Sequence, residues 1–285
     1  MSSPLPPNAH VSTHPCLRAK LSQLRSHATN ARETKLLIHE IATIVGCEAL
    51  AHGLKSIDGA VDKSPLGYEF TAETISPSHI SLVPILRSGL GMVDGILSPV
   101  HLAIPTNPLY IPTTRTQFST RSYHTILLKT RAMLSTDTKN PPALQSLLPS
   151  PVPVHHLGLY RERSTLQPVE YYNNLPYHRP SQNASSSTPS TPTTSASDLA
   201  ILIDPVIATG ATACAGIATL RDWGVKRIIV CSVIASEDGL RRAAEEWSEG
   251  VEVWVGGVDK ETDDRGMIKP GLGDVGDRLF LTIGK

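Results

Sequence analysis

Ile201-Leu202-Ile203-Asp204-Pro205-Val206-Ile207-Ala208-Thr209-Gly210-Ala211-Thr212 is the stretch that organises the rest of the chain. An apolar run of strand length, beginning at Leu199, meets an acid, then a short loop of small and hydroxyl-bearing residues, then a helical pattern that runs to Trp223 and stops at Gly224. Free backbone N–H groups at such a helix start can hold a phosphate without any net positive charge on the domain. Thr209 and Thr212 add hydroxyl donors. Asp204 repels phosphate, but a carboxylate beside a phosphate cradle suits the hydroxyls of a sugar, as the acid of dinucleotide-binding folds does. The same residues would also serve an ordinary strand-to-helix turn in which Asp204 and Thr209 cap the helix. The glycine spacings of nucleoside triphosphate and dinucleotide loops are both absent.

Working outward, the pattern repeats. Ile80–Leu86, His156–Tyr160, Arg227–Ala235 and Val251–Val255 read as buried strands, with helices after Gly89 (through Leu97) and over Glu237–Trp247. Strands alternating with helices of about ten residues predict an α/β fold, a parallel sheet flanked by helices, with ligands beyond the carboxyl ends of its strands. Residues 16–53 read as helical and 66–80 as a β-arm or hairpin. Residues 1–15 are polar and proline-rich and are expected to be flexible, with one domain over 16–285. Two stretches interrupt it. Residues 99–153 are proline-rich with weak periodicity, a long excursion from the sheet. Of the seventeen residues 181–197, eleven are Ser or Thr and none is charged, so 180–197 buries too little apolar surface to order itself and is expected to be a disordered loop.

Lys and Arg balance Asp and Glu at 26 each, which leaves no basic field for nucleic acid or anionic lipid. Any anion must be met locally. The four cysteines and the scattered histidines show no metal-like spacing; His155-His156 opens a strand, whose alternation would part the two rings. No apolar run resembles a signal peptide, and the longest are strand-sized, so no membrane segment is expected and a cytoplasmic protein is.

Two further constellations carry chemistry. In Val83-Pro84-Ile85-Leu86-Arg87-Ser88-Gly89-Leu90-Gly91-Met92, a strand ends at an arginine and a small-residue turn opens a helix. Gly158-Leu159-Tyr160-Arg161 places a second arginine at the next strand end. Such arginines suit a diphosphate, although each could equally serve a surface ion pair. The third is Gly266-Met267-Ile268-Lys269-Pro270-Gly271-Leu272-Gly273-Asp274-Val275-Gly276, whose four glycines and one proline demand a tight loop with its backbone exposed at close range. Backbone donors and acceptors there could read a planar base, and Asp274 could face a metal ion or a diphosphate. A purely structural turn fits the same pattern.

The stretches VPILRSGLGMVDGIL, GLYRERSTLQPVEYYNNLP, DPVIATGATA and KPGLGDVGDRLF, in that order, resemble uracil phosphoribosyltransferases from about residue 80 to the end. HPCLRAKLSQLRS resembles the opening helix of that family. The resemblance implies a type I phosphoribosyltransferase-like fold, with a small hood built from N- and C-terminal segments and a β-arm. It implies transfer of a 5-phosphoribosyl group from phosphoribosyl pyrophosphate (PRPP) to uracil, giving UMP and pyrophosphate with Mg2+ in pyrimidine salvage. By position, Arg87, Arg161, Asp204 and Asp274 would be the catalytic set. Arg87, Arg161 and Asp274, with Asp204, Pro205, Val206, Ile207, Ala208, Thr209, Gly210, Ala211 and Thr212, would hold PRPP. Ile268, Gly273, Asp274 and Val275 would read uracil. Mg2+ would travel mainly on the PRPP diphosphate, with no metal ligand assigned on the protein. The family association also implies a homodimer or higher homo-oligomer, and it admits GTP as an effector.

Ala211 stands where the family loop commonly has a second glycine, Val275 where alanine is usual, and Ala235–Gly239 lacks the family's proline. These departures keep two alternatives in view: a phosphoribosyltransferase for another base, and a catalytically weak regulatory or scaffold homologue that binds PRPP.

Overall fold

In a computed structural model, residues 4–93, 144–162, 165, 167–176 and 196–282 are described. Their strands are β1 (Ala9–Val11), β2 (Lys55–Lys63), β3 (Glu69–Ser76), β4 (Ile80–Leu86), β5 (Leu157–Arg161), β6 (Pro168–Asn173), β7 (Leu199–Ile203), β8 (Val206–Ile207), β9 (Arg227–Ser232), β10 (Ile234–Ser236), β11 (Val251–Val255), β12 (Val258–Asp259), β13 (Glu261–Thr262) and β14 (Ile268–Lys269). The helices are α1 (Pro15–Arg25), α2 (Ala31–Gly53), α3 (Leu90–Val93), α4 (Ala211–Trp223), α5 (Glu237–Glu245) and α6 (Val275–Phe280).

Seven strands form the main sheet in the order β1-β11-β9-β7-β4-β5-β6. All neighbours are parallel except the β5–β6 pair at one edge. The apolar alternation of β7 shows why helices cover both faces. Leu199, Ile201 and Ile203 enter one core with Leu17, Leu24, Ile38 and Ile41 of α1 and α2. Ala200 and Leu202 enter the other, with Ile217 and Leu220 of α4 and Leu240 of α5. A strand buried on both faces must be apolar at every position, which is the composition read in 199–203.

From β4 the chain proceeds to β5 on one side, then crosses to β7 on the other and continues to β9 and β11. The strand order therefore reverses between β4 and β7, and a crevice opens beyond their carboxyl ends. Register there is fixed, with Ile80 opposite Leu199 and Pro84 opposite Ile203.

Several expectations shift in detail. The helical stretch 16–53 is two helices, because Asn30 starts α2 with a capping box: its side chain accepts from Glu33 N–H while Glu33 accepts from Asn30 N–H. Residues 9–11, expected to be flexible, form β1 on the sheet edge beside β11. The arm begins earlier than residue 66, since β2 at 55–63 pairs antiparallel with β3; the first strand is exposed at every residue and so has no buried face for periodicity to mark. The strand expected over 227–235 breaks after Ser232, where Val233 and Ile234 N–H both donate to Pro205 O at 3.1 Å. That turn takes β10 into a small sheet with β8 and β12. The excursion 99–153 rejoins the fold by Leu144, which is buried against Gly46 of α2. Its earlier part, and most of the Ser/Thr-rich loop 180–197, lie outside the described residues.

α2 corrects another expectation: its 23 residues are long and apolar enough to cross a membrane. In this fold its Ile38, Ile41, Ala42, Val45 and Ala49 are buried in the core.

The N- and C-terminal parts meet through two arginines. Arg25, ending α1, grips Asp259 with two bonds of 2.7 Å and donates to Gly271 O at 3.1 Å. Arg278 donates to Leu24 O and Leu272 O at 2.8 and 2.9 Å. Together they fasten the glycine-rich loop to α1. Arg25→Ala leaves the Asp259 carboxylate, 9% exposed, without its cation, and is expected to cost about 1–3 kcal/mol. Thermal melts should show that loss, with the double variant Arg25→Ala/Asp259→Asn losing less than the sum of its single changes.

Candidate functional site

A cavity of about 230 Å³ opens at the carboxyl ends of β4, β5 and β7. One wall is the loop after β7, contributed by Asp204 and Val206 through Gly210, with Thr212 and Ala213 of α4. The opposite wall is Gly266 to Ile268 and Leu272 to Gly276. Leu86, Ser88 and Arg161 close the sides at the neighbouring strand ends.

The loop after β7 is held from behind. β8 pairs with β10, placing Ile207 opposite Ala235. Ser236 Oγ donates to Ala208 O at 2.5 Å and accepts from Gly239 N–H at 2.9 Å, so one hydroxyl joins the loop to the start of α5. Gly239 has no room for a side chain: a Cβ there would overlap the Ala208 carbonyl. Gly210 takes φ 77° as the residue before α4 and offers no side-chain cap. The amides of the first turn of α4 are left without an intrahelical acceptor at the cavity wall, as an anion site requires.

Ala211, unlike the neighbouring Gly210, does not need the left-handed region, since Leu281 is the only non-glycine with positive φ among the described residues. It begins α4 and is buried away from the cavity lining. The methyl group in place of the family glycine therefore meets no backbone obstacle at this position.

Asp204 is 7% exposed. Ser88 Oγ donates to its Oδ1 at 3.1 Å. Burial pushes its carboxyl up to about 7, against the pull of the Ser88 hydroxyl and Val206 N–H bonds. Among the described residues no Lys, Arg or His pairs with it, and it opens on the cavity.

Arg161 also lines the cavity, with its guanidinium donating to Gly266 O at 2.9 Å and Arg265 O at 3.1 Å. That fork bridges β5 to the opposite wall and leaves other N–H donors of the group for a ligand. Asp274 is the N-cap of α6, accepting from Asp277 N–H at 3.0 Å, and its exposed carboxylate faces the same cavity. The cap and the cavity-facing carboxylate coexist in one side chain. Val275 and Ile268 are buried at the wall, packed into the core beneath it.

Of the residues singled out in the sequence, the structure brings together Arg161, Asp204, Val206 through Gly210, Thr212, Ile268, Gly273, Asp274 and Val275. It does not bring in Arg87, Pro205 or Ala211. Arg87 follows a cis Leu86–Arg87 peptide and is exposed, its guanidinium 5.8 Å from the centre of the Phe280 ring. Pro205 acts through its carbonyl on β10. Ser88, Gly266, Met267 and Leu272 were not assigned from sequence. Ser88 sits beside Arg87 in the same small-residue turn, but only the β4–β7 register shows that its hydroxyl meets Asp204.

Known proteins are similar to this chain. The sequence profile of the family described as uracil phosphoribosyltransferase matches residues 11–134 and 141–282. The chain is 32% identical to a putative uracil phosphoribosyltransferase, urg2, of Schizosaccharomyces pombe, over 96% of this chain and 90% of that one. It is 34% identical to a uracil phosphoribosyltransferase of Roseiflexus castenholzii over 272 residues, 95% of this chain and 97% of that one. The solved AQ2163 protein of Aquifex aeolicus superimposes with a TM-score of 0.65 at 23% identity, covering 95% of this chain and 97% of that one, which bears on the fold. The architecture is that of the α/β proteins with a mostly parallel sheet flanked by helices. Within that class the chain belongs to the uracil phosphoribosyltransferase family.

The buried carboxyl gives a test that needs no substrate. With its value raised from 3.8 to about 7, native Asp204 keeps a proton that the unfolded chain releases across that window. Stability contributed at this site therefore falls as pH rises from about 4 to about 7. Asp204→Asn, with no charge to desolvate, is expected to melt higher than the unchanged protein near about pH 8 and to match it near about pH 4, as read by calorimetry without ligand. A melting difference independent of pH would remove this account of Asp204. Gly239→Ala should separately displace the loop after β7, weakening PRPP binding by about tenfold or more in a titration, since about 1.4 kcal/mol suffices for that factor.

Proposed function

We propose that the protein transfers the 5-phosphoribosyl group of PRPP to uracil, yielding UMP and pyrophosphate. The reading rests above all on one observation: a single cavity is walled on one side by the Asp204–Thr212 loop and on the other by Ile268 and Gly273–Val275. A phosphate-suited helix start and a base-suited backbone loop thus face each other across the space a ribose would fill. The names of the similar proteins add to it.

In the reaction the bond from ribose C1′ to the pyrophosphate oxygen breaks, and a bond from C1′ to a ring nitrogen of the base forms as that nitrogen's proton leaves. Positive charge builds on the sugar and negative charge on the departing diphosphate. Arg161 at its strand end offers fixed donors toward the diphosphate, and the loop amides with Thr209 and Thr212 hold the 5′-phosphate. Asp204, poorly solvated and without a cationic partner among the described residues, accepts from the ribose hydroxyls. Arg87, outside the cavity lining, would have to swing from Phe280 to reach the donor. Ile268 and the backbone at Gly273–Val275 bound the base.

Mg2+ fits this cavity. It is commonly held by one or two carboxylates plus substrate phosphates, keeping several waters, and Asp204 and Asp274 both line the space. When bound with the donor it would neutralise diphosphate charge. The same reading takes the protein to be cytoplasmic and homo-oligomeric, with GTP as a candidate effector.

The direct test incubates the protein with uracil, PRPP and magnesium and follows UMP. Failure to form UMP at high enzyme concentration, with PRPP binding intact, would sink the proposal; turnover of a different pyrimidine would redirect it. Asp274→Asn keeps a good helix cap but removes the charge, so the fold should persist while turnover falls by about 100-fold. Unchanged turnover would remove Asp274 from the reacting groups. Val275→Ala should alter KM for uracil while leaving KM for PRPP nearly unmoved, because the side chain lies at the base wall.

A further inference from the structure

At the β1 edge of the sheet, three metal-ligating side chains from distant parts of the sequence converge. His10 Nε2 lies 2.6 Å from Glu252 Oε2, and His52 Nδ1 lies 3.9 Å from the same oxygen. All three ligand atoms fall within 4.8 Å of one another. Each is held by a different element: His10 by β1, His52 by the last turn of α2, and Glu252 by β11.

The scaffold beneath them is rigid. His10 is directly opposite Trp254 in the β1–β11 register, and its ring stacks on the indole with centroids 4.2 Å apart and planes 18° from parallel. Glu252, two residues before Trp254, shares its face of the strand. α2 lies over that face, where Ser12 Oγ donates to Glu48 Oε1 at 3.0 Å. Glu48 is one helical turn before His52, and its Oε2 is buried with no hydrogen-bond partner among the described residues. Among the described residues, the ion-pair partners of Glu252 are the two imidazoles, with no lysine or arginine to neutralise it.

We propose that His10, His52 and Glu252 form a binding site for a divalent transition-metal ion, with Zn2+ the best match. Two imidazoles and one carboxylate are a recognised zinc ligand set, with a fourth position left to water. Bonds of about 2.0–2.2 Å in tetrahedral geometry set the ligand atoms about 3.4 Å apart. The present separations lie on either side of that value. The half-exposed His52 ring can close its gap, while the His10–Glu252 contact opens to admit the ion. Imidazole selects Zn2+, Cu2+ or Ni2+ over Mg2+, so this site differs in kind from one that would serve the PRPP diphosphate. The ion cross-links the first strand, the end of α2 and β11, and binding it stabilises the native fold.

The test uses full-length, untagged, chelator-treated protein. Calorimetric titration should find one Zn2+ per chain at this site, and thermal melts should rise with Zn2+ but not with Mg2+. Co2+ should give the visible absorption of a tetrahedral N,O site. His52→Ala and Glu252→Gln, which leave the Trp254 stack intact, should each weaken Zn2+ binding by about 100-fold, the upper end of what loss of mere outer-shell support costs. Neither residue touches the cavity, so UMP formation, where measured, should be unchanged. The proposal is overturned if Zn2+ does not bind, or if both variants bind it as tightly as the unchanged protein.

Discussion

The parallel pairing of β4 with β7 is the constraint on which the rest of the site depends. Because Pro84 lies opposite Ile203, the chain leaves β7 beside the last residues of β4, Ile85 and Leu86, which go on pairing with β5. The end of β4 then delivers Ser88 and the end of β7 Asp204, whose hydrogen bond spans the point where the strand order reverses. A carboxylate placed there cannot be well solvated, since the two strands beneath it are buried on both faces. Its raised affinity for protons follows from that position. A ligand that brings hydroxyl donors or a cation to this point relieves the desolvation.

The walls of the cavity are supported in unequal ways. The phosphate-suited loop is tied to secondary structure through β8, Ser236 and Gly239, so its amides are aimed before any ligand arrives. The base-suited loop depends on side chains: Arg25, Asp259 and Arg278 reach it from α1, β12 and α6. Backbone ladders are harder to perturb than arginine bridges. Distortions of α1 or of the chain end should therefore move the glycine-rich loop before they move the loop after β7.

The departures from the family pattern acquire separate meanings. Ala211 is buried at the start of α4, needs no positive φ and lies outside the cavity lining. Val275 instead stands at the cavity wall with its side chain packed into the core. One substitution is absorbed by the scaffold, and the other bears on the space offered to a base.

Local sequence determined much of this protein. The apolar runs at 80–86, 199–203 and 251–255, the Asn and Gly residues that bound the helices, and the glycine-rich loop all encode their backbone states within a few residues. The α/β class was therefore legible, as were most of the cavity-lining residues from Asp204 to Thr212 and at 273–275. Tertiary structure alone decided what meets across the gaps. It took Arg87 out of the cavity lining, put Ser88 against Asp204, and recruited three expected-flexible residues as β1. It also split the run at 227–235 with one proline carbonyl. His10, His52 and Glu252 show the limit most clearly: their spacing in sequence carries no signal, and only β1 joining β11 beneath the end of α2 sets them together. Periodicity reports which face of an element is buried, whereas partners distant in sequence are chosen by register and packing, which no local pattern contains.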